Sequence, residues 1–166
     1  MGGRWDVALA RVCCVAVMLA TTPARTESAT ACRFEAAGTA KVRAVTDGRS
    51  FTLEDGREIR LAGIEVPLPP AAGESGPTAE AGLAARAALQ SMLADRTVEL
   101  RQNRALSDRY GRTVALAYIS GESRSVAHEM LAKGFARVSA HVGDRACADE
   151  LLAQEQAARG QAWPLE

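Results

Sequence analysis

The sequence has no net charge: 20 Lys and Arg residues balance 20 Asp and Glu residues over 166 positions. A protein that grips nucleic acid along its whole surface is usually basic. That mode is excluded, and any phosphate binding must come from a local cluster. Histidine is scarce as well. His128 and His141 are the only two, and no His, Cys and carboxylate spacing reads as a zinc site. His128 reads as the surface of a helix. The chain lacks a Gly-rich phosphate cradle and any segment like a serine nucleophile elbow. Long apolar runs are missing too. The stretch from Val12 to Ala20 has nine residues, too few to span a bilayer, and no later segment is apolar enough to be transmembrane.

That short run follows Arg4 and Arg11 and precedes Thr22-Pro23-Ala24 and Ala29-Thr30-Ala31, two segments like signal-peptidase sites. The pattern predicts a signal peptide over 1–24 and hence a secreted or periplasmic protein; the alternative is an uncleaved anchor. The remaining 142 residues suffice for one modest core and carry a net charge of −1. Removal of the leader takes away Cys13 and Cys14 and leaves Cys32 and Cys147. Two cysteines in an oxidising compartment are the simplest disulfide count. A bond between them would pin an N-terminal arm, 25–37, to the last helix. Two free buried thiols are the alternative.

What is present is period-two alternation. Ala40, Val42 and Ala44 alternate with Lys41 and Arg43; Phe51 and Leu53 with Ser50, Thr52 and Glu54; Ile59 and Leu61 with Glu58 and Arg60. Asp47-Gly48 and Asp55-Gly56 separate the three segments and are tight-turn signals. A three-stranded meander is expected. A loop rich in Pro, Ala and Gly then fills 67–77. Thr78 can cap a helix over 78–94, whose Gly82, Ala85, Leu89, Met92 and Leu93 form one apolar stripe. Strands are predicted over 97–101 and 113–119, a helix over 125–133 ended by Gly134, a short extended piece over 135–138, and a last helix over 146–159. This α+β, mainly β order suits a five-stranded OB barrel with three helices, although other small α+β folds share it.

Three segments resemble the staphylococcal nuclease (thermonuclease) family: Val45-Thr46-Asp47-Gly48-Arg49-Ser50-Phe51, Ile59-Arg60-Leu61-Ala62-Gly63-Ile64-Glu65-Val66-Pro67, and Asp108-Arg109-Tyr110-Gly111-Arg112-Thr113-Val114-Ala115. The Leu131 to Val138 segment and the Glu155, Ala158, Arg159, Gly160 and Trp163 ending look similar as well. The resemblance covers 38–164 and implies an OB barrel carrying three helices.

In that family a calcium ion polarises a phosphodiester, a carboxylate activates water, and two arginines bind the phosphate. The resemblance places the two arginines at Arg60 and Arg112, as catalytic and phosphate-binding groups. Arg109 and Tyr110 fall beside the nucleotide phosphates. The carboxylates are replaced. The second Asp of the family's Asp-Gly-Asp, a calcium ligand, is Arg49 here. Glu65 matches the other ligating Asp with one more methylene, so Glu65 and Asp47 are at most vestiges of a metal site. The general base after the family's proline is Leu68, which can neither take a proton nor orient water. Two base-flanking tyrosines of the type enzyme fall at Ala140 and Val142, which cannot stack on a base.

The resulting expectation is an exported nuclease-like protein that is catalytically impaired. It keeps an anion pocket built on Arg49, Arg60 and Arg112, and Arg49 pairs with Glu65 in place of a metal. Its partner is nucleic acid or nucleotide phosphate, and it needs no cofactor. One alternative is an active phosphodiesterase with a rearranged site, for which calcium would be the cofactor and Glu74 and Glu80 the available carboxylates. Another is a structural or protein-binding barrel.

Overall fold

A computed structural model describes residues 2, 32, 34–70, 72, 75–103, 107–142 and 144–159. The leader run, Glu74, Gly160 and Trp163 lie outside them. Five strands close a barrel in the order β1-β2-β3-β6-β5. They are β1 (Glu35–Asp47), β2 (Ser50–Leu53), β3 (Glu58–Leu61), β5 (Thr97–Gln102) and β6 (Thr113–Ile119). Neighbours pair antiparallel except β3 and β6, which run parallel. A two-stranded sheet joins β4 (Ile64–Glu65) to β7 (Arg137–Val138). Three helices complete the fold: α1 (Pro77–Leu93), α2 (Val126–Ala132) and α3 (Arg145–Arg159).

The alternation that predicts the meander is interrupted twice along β1. Register shifts between Val42 and Ala44, and between Val45 and Asp47, insert bulges that turn the strand. Val42 and Val45 are therefore the buried residues, and Ala44 faces outward. β1 also starts earlier than alternation indicates, because Glu35 to Lys41 pair with β5. Phe51, Leu53, Ile59, Leu61, Val98, Leu100 and Leu116 fill the barrel and are all but fully buried. The α1 stripe closes one side through Ala85, Leu89 and Leu93. The helix begins differently from expectation: Gly76 is its N-cap, with no side-chain cap, and Pro77 occupies its first turn. The fixed φ of proline and its missing N–H suit that place, where an N–H would have no partner. Among the described residues no helix is long and apolar enough to cross a membrane.

The disulfide is formed. Cys32 and Cys147 are bonded across 115 positions, tying the arm to α3. Beside it lies a polar chain that the sequence does not announce. Ser125 caps α2 by accepting the His128 N–H, and its Oγ lies 2.7 Å from His128 Nδ1. His128 Nε2 lies 2.7 Å from Glu150 Oε1, close but off the ring N–H axis. Glu150 Oε2 in turn accepts the Cys32 N–H at 3.2 Å. His128 is thus buried rather than on the helix surface, because α3 packs over the face of α2 that carries it.

Candidate anion-binding site

The site grows from the β1–β2 turn. Asp47 Oδ1 accepts the Arg49 N–H at 2.8 Å, a side-chain-to-backbone bond that stabilises such turns. Gly48 is there because nothing larger fits. A Cβ on it would lie 2.8 Å from the Ala85 Cβ of α1 and 3.1 Å from Val66 Cγ2. One turn earlier on α1, a Cβ on Gly82 would lie 2.3 Å from the Leu68 carbonyl oxygen. The helix therefore clamps both the Arg49 turn and the loop after β4, and it holds Leu68 with its side chain 63% exposed. The Arg49 carbonyl accepts the Leu61 N–H at 2.8 Å, which fixes the turn to the end of β3.

Pairing brings the other arginines in. Arg60 stands opposite Ser50 on β2 and beside Val114 on β6. Ser50 is buried, and its Oγ accepts from Arg112 Nη1 at 3.2 Å. Arg112 is held from its other edge by Asp108: Nε and Nη2 donate to Oδ2 at 2.8 and 2.7 Å. Asp108 Oδ1 also accepts the backbone N–H groups of Tyr110 and Arg112. Burial opposes ionisation of Asp108, but these bonds from Arg112 and the loop backbone outweigh it and hold the carboxyl below its ordinary range. Burial likewise opposes the charge on Arg112, and Asp108 reverses this, so its pKa is raised. Tyr110 is 67% exposed, and the guanidinium carbons of Arg109 and Arg112 lie 4.8 and 5.4 Å from its ring centre.

Arg49 and Arg60 are treated differently. Both are half-buried, and the Nε of each is buried without a hydrogen-bond partner. Neither side chain makes an ion pair among the described residues. Burial, the positive charge of Arg60 and, more weakly, that of Arg112 lower the pKa of Arg49; Asp47 and Glu65 act against this without reversing it. Like charges thus converge where buried donors are unfilled. A buried donor left unfilled costs about 1–3 kcal/mol, so the arrangement suits a ligand that brings acceptors.

The expected Arg49–Glu65 ion pair is not formed. Glu65 is exposed on β4, and its Oε1 accepts from Ser139 Oγ at 3.2 Å. That bond turns the carboxylate toward β7, so only its longer-range field reaches Arg49. Calcium ligands do not gather here either. Among the described residues no three His, Cys, Asp or Glu side chains form a metal-binding group. Asp47 is occupied with its own turn, and the positive charge of Arg49 is near enough to interact with it. These residues do not fit a divalent cation.

Two hollows adjoin. A groove of about 830 Å³ runs between Glu65, the start of α1 and Phe135 to Val138, with Glu80 on its α1 side. Another, of about 500 Å³, is lined by Val138, Ala140, Val142, Ala148 and Leu152 among others. Ser139, Asp144 and Arg145 supply its polar part; Ala140 and Val142 are the positions at which the resemblance puts the family's tyrosines. Sequence reasoning missed the part played by Ser50: alternation puts it on the polar face of β2, whereas it is buried opposite Arg60, and the sequence carries no signal for that.

A family model described as staphylococcal nuclease homologue matches residues 58–165. The matched span contains Arg60, Glu65, Leu68 and Arg112, while the Arg49 turn precedes it and joins them through the barrel. Among curated proteins, none matches the chain.

Proposed function

The chain belongs to the staphylococcal nuclease homologue family, and from that premise we propose that it binds nucleic-acid or nucleotide phosphate without calcium-dependent hydrolysis. The observation that carries this reading is the pair of unpartnered buried guanidinium nitrogens on Arg49 and Arg60, beside an Arg112 already oriented by Asp108 and Ser50. A planar guanidinium offers two parallel donors to phosphate oxygens. Arg60 and Arg112 supply the charge that meets the phosphate, and Arg109 and Tyr110 border it. Arg49 repels the metal that would polarise a phosphodiester, and Leu68 supplies no base. The Cys32–Cys147 bond fits an oxidising compartment, and with the apolar run in 1–24 it supports export.

The test is to incubate the purified protein with DNA and with RNA, with calcium and with EDTA, and to follow cleavage and binding separately. Binding that survives EDTA, with cleavage at background, is the expected result. One observation favours an active phosphodiesterase instead: Glu65 and Glu80 border the same groove. Cleavage that EDTA stops and Arg60→Ala removes would establish that reading and end the preferred one.

A further inference from the structure

We propose that the arginine cluster selects a terminal phosphate monoester over an internal phosphodiester, and does so without a metal ion. The inference rests on the phosphate-binding reading above and adds which phosphate is bound.

Donor and acceptor numbers set the preference. Arg112 is committed: Nε and Nη2 face Asp108 and Nη1 donates to Ser50. It adds charge and a fixed wall. Arg49 and Arg60 have their guanidinium groups uncommitted among the described residues, each with a buried Nε lacking a partner. A guanidinium binds best through two parallel N–H groups to two oxygens. Two such forks on one tetrahedral group occupy two of its edges, and two edges span at least three oxygens. A phosphomonoester has three terminal oxygens; an internal phosphodiester has two, and both forks would compete for the same pair. The monoester also carries a charge of about −1.5 to −2 near neutral pH, which suits three converging cations better than the single charge of a diester.

The scaffold supports a fixed geometry. The Arg49 turn is pressed against Ala85 and Val66 through Gly48 and bonded to Leu61. Arg60 lies inside the β2–β3–β6 ladder. Both forks are therefore mounted on rigid elements, which is what discrimination between tetrahedral groups requires.

The experiment is calorimetric titration of the protein, in EDTA, with one oligonucleotide prepared with and without a terminal phosphate, and with inorganic phosphate as competitor. The expected result is binding about tenfold or more tighter for the phosphorylated form, the effect of roughly one additional charge-assisted hydrogen bond. Displacement by inorganic phosphate identifies the phosphate group alone as the ligand. Failure of inorganic phosphate to displace the oligonucleotide, at concentrations that saturate a phosphate site, would place the bound group elsewhere and overturn the proposal. Arg49→Lys keeps the charge and removes the fork, so it should bring the two affinities close together; Arg124→Ala, away from the site, should leave them as they are. Equal affinity of the two forms for the unaltered protein would overturn terminal selectivity and leave phosphate binding standing. Binding of neither form would overturn both readings, and tighter binding only when calcium replaces EDTA would overturn the metal-free claim.

Discussion

The Ser125–His128–Glu150 chain and the Arg49–Arg60–Arg112 cluster are both made of polar groups drawn into the protein, and the fold handles them in opposite ways. In the first, Ser125 faces His128, His128 faces Glu150, and Glu150 holds the backbone of Cys32. It bridges α2, α3 and the disulfide. In the second, only Arg112 is bonded, and Arg49 and Arg60 keep buried donors without partners. Buried polar groups are nearly always satisfied. His128 Nε2 is off the hydrogen-bond axis as well, but a carboxylate stands 2.7 Å from it. Arg49 and Arg60 have no acidic partner among the described residues, and on the phosphate-binding reading proposed above that place is left for a ligand. What distinguishes the two clusters is the presence of a carboxylate beside the buried nitrogen in the first and its absence in the second.

Substitutions test whether the two clusters act independently. Replacing both Cys32 and Cys147 by Ser should have the largest effect on stability. Native disulfides are worth about 2–5 kcal/mol, which is on the order of 10 °C in melting temperature. Phosphate affinity measured below the new midpoint should not move. Next comes His128→Ala, which removes the imidazole standing between Ser125 Oγ and Glu150 Oε1. About 1–3 kcal/mol should be lost, visible in urea denaturation, with binding unaffected. A change in phosphate affinity in either variant would show that the two clusters are coupled.

A smaller effect concerns Asp108. Its folded pKa is depressed below the ordinary value of 3.8, so its contribution is complete above that value and is lost as pH falls through the folded pKa. The loop holding Arg112 should loosen in that acid range. Asp108→Asn should show less acid sensitivity than the unaltered protein and weaker phosphate binding at neutral pH. The smallest stability effect should be that of Arg49→Met. Removing a cation that burial and Arg60 both disfavour should leave the melting temperature unchanged or slightly raised, while phosphate affinity falls. A clear loss of stability would mean that Arg49 has a structural partner.

Much of this architecture is readable in the sequence. Alternation and the two Asp-Gly turns locate β1, β2 and β3, the apolar stripe locates α1, and the cysteine count anticipates the bond between Cys32 and Cys147. What escapes is set by tertiary packing. A bulge, not alternation, decides that Val45 points inward and Ala44 outward. β4, at two residues, is too short to leave a periodic signal. His128 on a short helix looks exposed until α3 covers it. The site divides in the same way. Strand pairing brings Arg60 and Arg112 near Ser50, and this follows from register. Whether Arg49 reaches Glu65 depends on where two long side chains turn, and Ser139, distant in sequence, takes the carboxylate.

If phosphate oxygens, with no metal, complete Arg49 and Arg60, which have no ion-pair partner among the described residues, the melting temperature in EDTA should respond to added inorganic phosphate in the unaltered protein and not in the Arg49→Met, Arg60→Met double variant. A ligand that binds only the folded state raises stability by about 2.7 kcal/mol at a hundred times its dissociation constant. A rise of several degrees is expected for the unaltered protein, none for the double variant, and none for calcium alone. Equal rises in both proteins, or a rise with calcium in the absence of phosphate, would contradict metal-free phosphate binding by these two arginines.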